Sequence, residues 1–359
     1  MEEGAEDLIT AHSLFNRACD IPILKEEGII RIGKFFLLDY PISIWTTVLQ
    51  HEYFGHGARA REHGVTASYK LYSPWEYWPF NNKRAYVRYE NGYPEDIDKR
   101  LSLTLGGIES NNVLAQRLKR NIYKNGKISY CGALFFLSNK LYLNTYIYRT
   151  PDPISDPEGF RIYGDISAYL IEMDIKRGEE GSAKSAVDDY RRLKKNSFYN
   201  LADPILWVSV YSIGRYLVVG RESLCIPYFN HRSTRFLPSA RFNITPIGEE
   251  YYLDLYIKRD LLFFAPYIRD GKGPEGRFYG TGIEVDVEMI KRGLLVGGEI
   301  DWWHQPITGG GYHLMTVATK HITEQVAFTV KAGLKSKGYL MGREFDQAGY
   351  LACGIDLVF

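Results

Sequence analysis

The last third of the chain alternates residue by residue, and a period of two is what a strand with two chemically different faces requires. From about residue 236 onward, segments at 236–246, 249–258, 260–269, 276–289, 293–303, 311–320, 324–335 and 348–359 read as strands. Turn signals separate them, among them Gly248-Glu249, Lys258-Arg259-Asp260, Asp270-Gly271-Lys272-Gly273, Lys291-Arg292-Gly293 and Gly309-Gly310-Gly311. In one strand Ile283, Val285, Val287 and Met289 oppose Glu284, Asp286 and Glu288; in the next, Leu294, Val296, Ile300 and Trp302 oppose Glu299, Asp301 and Trp303. A third sets Val326, Phe328, Val330, Ala332 and Leu334 against Gln325, Thr329, Lys331 and Lys335. Each strand thus carries one oily face and one charged face, the pattern of an antiparallel meander. The acidic faces, with Glu284, Asp286, Glu288, Glu299 and Asp301, could line a cation path or bind Ca²⁺; the favoured expectation is that they pair across a barrel interior with Lys331, Lys335 or Arg343.

Lengths near ten residues match a tilted strand crossing a bilayer. The closing segment has Leu351, Cys353, Ile355, Leu357 and Phe359 on one face. It resembles the C-terminal strand of bacterial outer-membrane β-barrel proteins, which the assembly machinery reads. The resemblance implies a C-terminal antiparallel transmembrane β-barrel of about eight or more strands, outer-membrane lipid around it and the outer-membrane assembly machinery as a partner. The 28 Tyr and 18 Phe would supply interfacial girdles. A lipocalin-like soluble barrel is the competing reading, since the same alternation permits it. A mean hydropathy of −0.26 and the lack of any run of 18 uncharged apolar residues argue against helical spans. A net charge of +1 gives no reason to expect nucleic acid. The acidic opening Met1-Glu2-Glu3 does not read as a signal peptide. Cys19, Cys131, Cys225 and Cys353 lack metal-type spacing; a Cys19–Cys131 or Cys131–Cys225 disulfide is left open.

Before residue 226 the period changes. Ser43–Gly64, Ser102–Tyr123, Ile128–Tyr148, Ile166–Arg177, Ser182–Lys195 and Pro204–Val219 read as helices. Asp203 is the expected N-cap of the last, with Pro204 in its first turn. Gly28–Tyr40 and Arg84–Tyr89 are candidate extra strands. The fold class expected is therefore α+β, with a mainly helical metal-binding region over 1–225 and the barrel over 226–359.

That helical region carries His51-Glu52-Tyr53-Phe54-Gly55-His56. In an HExxH helix the two imidazoles stand one turn apart and the Glu acts on a metal-bound water. Here the spacing is HExxxH, and five residues advance about 500°, which leaves the rings about 140° apart on a regular α-helix. Sharing an ion then requires a π-bulge, which Gly55 and Gly57 flanking His56 would ease. A second arrangement uses Glu52, His56 and His63 on one helix face.

The motif resembles that of zinc metallopeptidases, and Leu105-Gly106-Gly107-Ile108-Glu109 resembles the segment that supplies the third ligand in Glu-zincin peptidases. The resemblance implies Zn²⁺ held by His51, His56 and Glu109, Glu52 as the general base, and Asn111 or Asn112 as supporting groups. Glu62 and His63 are alternative ligands. It further implies a zinc-dependent hydrolase, a peptidase first of all, at the outer membrane, acting on a peptide or an acylated substrate. The alternative is a non-enzymatic barrel for transport or assembly, with a structural His cluster.

Overall fold

The computed structural model describes residues 1–19, 28–77, 79–81, 83–162, 164–289, 293–323 and 326–357. Phe359, the residue on which the outer-membrane resemblance turns, lies outside the described residues, as do Trp78 and Gln325.

The helical part opens with α1 (Glu2–Ala18) and a long helical run over 28–62, α2, made of α-helical stretches interrupted by π-turns at Phe35–Asp39 and Gln50–His56. Gly28–Tyr40, a candidate strand on sequence, is thus helical. Its apolar residues Ile29, Ile32 and Phe36 recur at helical spacing, and Arg31 on the same helix reaches the Leu217 carbonyl at 3.1 Å. A small hairpin pairs Ala67–Lys70 (β1) with Tyr86–Tyr89 (β2). Helix α3 (Ile97–Asn125) is the central strut, capped by the Asp96 carboxylate and ended by Gly126 at φ 69°. Strand β3 (Lys127–Ser129) leads into α4 (Tyr130–Lys140) and α5 (Tyr142–Arg149). Then come α6 (Pro157–Ile162), α7 (Asp165–Lys176), α8 (Val187–Ser197) and α9 (Pro204–Val219). The Asp203 carboxylate accepts the Ile205 N–H at 3.1 Å, the cap expected there. Strand β4 (Ser223–Cys225) pairs back to β3. All four cysteines are free.

The C-terminal sheet has nine antiparallel strands in simple meander order. They are Phe229–His231 (β5), Thr234–Thr245 (β6), Gly248–Arg259 (β7), Leu262–Gly273 (β8), Gly276–Met289 (β9), Leu294–Gln305 (β10), Gly309–His321 (β11), Val326–Lys335 (β12) and Ala348–Leu357 (β13). The chain is therefore α+β. Among the described residues the sheet does not close into a barrel: β5 and β13 are its two edges and do not pair with each other. Residues 270–273, a turn signal on sequence, instead extend β8, and β9 restarts at Gly276.

The charged face packs against helices, and the oily face is bare. Arg269, Asp286, Asp301, His313 and Lys335 are buried, while Ile268 is 59% exposed, Ile300 55%, Tyr312 58%, Leu334 58%, Leu351 79% and Ile355 72%. The acidic residues find most of their partners on the helices. Arg120 of α3 pairs with Asp286 at 2.5 Å and also contacts Glu284; Lys124 joins Asp286; Lys331 of β12 pairs with Glu6 of α1 at 3.1 Å. Of the pairings expected within the sheet region, Arg343–Glu299 forms at 3.2 Å, whereas Lys335 donates to the Gly338 carbonyl at 2.6 Å. The nine strands β5–β13 are separated by eight gaps, about 38 Å in all, and α3 and α1 meet the charged face at Asp286 of β9 and Lys331 of β12. A shared core of Leu114, Phe135, Phe136, Ile205, Leu237 and Phe263 joins the helices to the sheet. Among the described residues no helix is long and apolar enough to cross a membrane.

Candidate metal centre

The π-turn at Gln50–His56 determines where the histidines point. A regular α-helix would splay them; the wider turn stacks positions i and i+5. The His51 and His56 Nε2 atoms accordingly stand 3.2 Å apart. A π-turn also displaces a backbone carbonyl from its usual partner, and here α3 supplies one. The Ser110 hydroxyl donates to the Gln50 carbonyl at 2.9 Å, and the Gln50 side chain donates to the Ser110 carbonyl at 2.9 Å. Glycines make the approach possible. A Cβ on Gly55 would lie 2.6 Å from the Gly106 carbonyl oxygen, and one on Gly107 would overlap the His51 ring. The Gly106-Gly107 pair thus acts by admitting the π-turn.

Each imidazole is held from behind. The Asn111 amide nitrogen donates to the Thr47 carbonyl at 3.1 Å and to Asn139 Oδ1 at 2.8 Å, which turns Asn111 Oδ1 toward His51 Nδ1 at 2.9 Å. His56 Nδ1 donates to the Leu103 carbonyl at 2.8 Å. With both Nδ1 atoms serving as donors, both Nε2 atoms of the neutral rings present lone pairs.

The third member is Asp165, the first residue of α7, preceded by Gly164 at φ 143°. Its Oδ2 lies 3.0 Å from His51 Nε2 and 3.3 Å from His56 Nε2. A tetrahedral ion with bonds of about 2.0–2.2 Å separates its ligand atoms by about 3.3–3.6 Å, so the three contacts, at 3.0, 3.2 and 3.3 Å, need to open by only a few tenths of an ångström to form a metal triangle. His51, His56 and Asp165 can together hold a metal ion. Without an ion the same atoms must share a proton. Burial works against charge on His56, but Asp165 beside it lifts its pKa to about 9. Burial would raise the Asp165 carboxyl; the two imidazoles override it and hold it well below the usual carboxylate range.

The other residues expected at the site fall in different places. Glu109 accepts from Arg59 at 2.6 Å and from the Gly342 N–H at 2.7 Å, an ion pair separate from the histidines. Glu62 also pairs with Arg59, and His63 Nε2 meets the Ser102 hydroxyl at 3.2 Å. Asn111 supports His51 as just described. Glu52 is buried next to the triad, and burial pushes its carboxyl above its ordinary value, with His51 and His56 opposing and Asp165 reinforcing the rise. It lines a cavity of about 410 Å³ together with Tyr142 and Tyr146, whose rings lie 4.8 and 5.4 Å from the His51 ring. Burial raises both phenols, so they keep their protons at neutral pH. The sequence expectations do not include Asp165. It stands 114 positions from His51, and its only local signal is an acid after a glycine at a helix start.

A second cluster, Glu299, Asp301 and His313, lies on the buried face of the sheet and can also hold an ion. Its atoms are already engaged. His313 Nδ1 bonds Asp301 Oδ2 at 2.8 Å, the Tyr267 hydroxyl donates to Asp301 Oδ1, and His313 Nε2 meets the Tyr350 hydroxyl at 3.0 Å.

No protein-family model, curated protein or solved structure matches this chain.

Proposed function

We propose that the chain is a zinc-dependent hydrolase of an amide or ester bond, with His51, His56 and Asp165 as the metal ligands in place of the expected set with Glu109. The observation that carries this reading is the convergence of three lone-pair atoms at 3.0–3.3 Å, with both imidazoles oriented from behind, beside a buried carboxylate in a cavity. Three protein ligands leave the fourth position of a tetrahedral ion for water, as catalytic sites require. A zinc ion so held lowers the pKa of its water toward neutrality and polarises a carbonyl.

The chain's own groups complete the chemistry. Glu52 takes a proton from the attacking water and returns it to the leaving group; its raised affinity for protons suits a base that must also act as an acid. The Tyr142 and Tyr146 hydroxyls are donors at the cavity wall, suited to a developing oxyanion. The Asn111–His51 and Leu103–His56 hydrogen bonds fix both tautomers. The bare oily face of the sheet supports a membrane location, because soluble monomers rarely expose apolar patches larger than a few hundred Å². In that reading lipid of the outer membrane covers strands β7–β13. A non-enzymatic membrane protein is the second reading, favoured by the fact that a proton shared by His56 and Asp165 alone satisfies the cluster.

Metal content by plasma mass spectrometry decides between them. About one zinc per chain is expected, lost in His51→Ala and Asp165→Ala and retained in Glu109→Gln. Absence of metal after zinc is supplied, in a folded protein, would refute the hydrolase.

A further inference from the structure

The helices differ sharply in what they turn outward. In α8 the exposed positions are Asp188, Arg191, Arg192 and Lys195, all charged, as a helix bathed in water requires. In α9 they are Trp207, Val210, Tyr211, Gly214, Val218 and Val219, and none carries charge. The first turns of α2 repeat this with Gly28, Ile29, Ile32, Phe36 and Leu37. Val218 is 78% exposed and Ile29 87%. The two surfaces adjoin, because Arg31 of α2 donates to the Leu217 and Val218 carbonyls at 3.1 and 3.3 Å. Pro204–Val219 holds a single charge, Arg215, which is half-buried with its guanidinium 5.9 Å from the Tyr211 ring.

Both ends of α9 bear on what covers it. The last carbonyls of a helix are ordinarily left to water; those of α9 are taken by the buried Arg31 side chain and, for Tyr216, by the Gly220 N–H at 2.9 Å. That arrangement suits a helix end from which water is shut out. At the other end Tyr148, Phe198 and Trp207 are exposed together, with Lys194 6.0 Å from the Tyr148 ring and Lys195 exposed next to it in the chain. The Trp207 indole donates to the Leu201 carbonyl at 2.9 Å and leaves its ring outside. Aromatic rings and cations placed this way belong at the depth of anionic headgroups. The place of α9 in the fold agrees. Strand β5 covers only Thr234–Phe236 of β6. Beyond it the Phe242 N–H donates to Asn200 Oδ1 at 2.9 Å, and α9 lies beside β6, so helical residues stand where a further strand would. With 16 residues α9 is about 24 Å long, close to the apolar band of about 25 Å on a membrane sheet and short of the about 30 Å that a lone spanning helix covers.

We propose that the exposed side of α9 and the opening turns of α2 lie against the acyl chains of a lipid bilayer, continuing at the β6 edge the apolar belt of strands β7–β13. The lipid-facing perimeter is then strand on one side and helix on the other. Helix α9 does not cross the bilayer alone; its inner face, with Ile205, Leu206 and Tyr216, holds it to the protein. The charged α8 stays in water. This rests on the membrane location proposed above for the sheet, and the test reads the two surfaces separately.

The test uses full-length protein with Cys19→Ser, Cys225→Ser and Cys353→Ser, which leaves only the buried Cys131. Each sample then takes one new surface cysteine carrying the environment-sensitive fluorophore NBD. The sites are Val210→Cys and Val218→Cys on α9, Ile29→Cys on α2, Asp188→Cys on α8, and Ile300→Cys and Leu314→Cys on the sheet. The proteins are reconstituted in vesicles of phosphatidylcholine and phosphatidylglycerol, with and without doxyl-labelled phosphatidylcholine, and circular dichroism equal to wild type certifies their folding. Doxyl lipid is expected to quench the α9 and α2 labels about twofold or more, as it does the sheet labels, and to leave the Asp188→Cys label nearly untouched. Quenching at the sheet sites alone overturns the proposal and leaves the membrane location standing. Quenching at no site overturns both. Labels at Val210→Cys and Val218→Cys that escape doxyl lipid while pyrene at the same sites forms excimers would assign the surface to a second copy of the chain, and the proposal fails.

Discussion

The two histidine–carboxylate clusters hold the same kinds of atoms in opposite states. In the sheet, every polar atom of Asp301 and His313 is committed to a neighbour, Tyr267 on one side and Tyr350 on the other. In the helices, hydrogen bonds are spent on the backs of the rings, and the fronts converge on one another. The first arrangement satisfies a buried charge; the second creates a demand that a proton or a cation must meet. Composition alone does not separate them. What separates them is which nitrogen of each ring the surroundings occupy.

The sharpest way to break this contrast is to remove one carboxylate from each cluster. Asp165→Asn is expected to abolish stoichiometric zinc binding, and Asp301→Asn to leave it intact, by mass spectrometry of the purified proteins. Equal zinc in both variants would mean the ion sits elsewhere. Next in size is Glu52→Gln, which should lower turnover by on the order of 10²–10⁴-fold while zinc stays bound. Asn111→Ala frees the back of His51 and should weaken zinc about 10–100-fold, read by competition with a chromophoric chelator.

A smaller effect concerns pH. In metal-free protein the His56 pKa is raised from 6.5 to about 9 by Asp165, so the folded state binds a proton more tightly than the unfolded chain. The resulting stability is fully present below pH 6.5 and is lost as the pH rises toward 9, at most on the order of 3 kcal/mol. Chelated protein should therefore melt at lower temperature at pH 9 than at pH 6.5, and Asp165→Asn should flatten that slope. An unchanged slope in the variant would assign the titration to another group.

How far these regions were legible follows from the range of the interactions that build them. The strands from β6 onward were readable to within a few residues, β8 running four residues past its expected end at 269, because period two is a local property and a slip of one position would turn Glu284, Asp286 and Glu288 onto the bare face. The openness of the sheet was not readable, since closure depends on what the edges of β5 and β13 meet. The need for a π-turn at His51–His56 could be deduced from five residues alone. Asp165 could not, because it meets the histidines only through the packing of distant helices, 114 positions along the chain. Glu109 was favoured for its place after two glycines; those glycines serve the close approach of α2 and α3, and Arg59 holds the acid.

The dependence of the π-turn on Gly55 against Gly106 and Gly107 also sets an order of events. A peptide spanning 28–62 alone has no Ser110 to take the Gln50 carbonyl and no glycine pair to nest against, so it would wind as an ordinary helix with its imidazoles about 140° apart. Ion affinity is then a property that α2 acquires from α3 and α7, and an ion once bound strengthens that docking by mass action. Loading would come late in assembly, and the bound ion would certify that three distant stretches of chain had found one another.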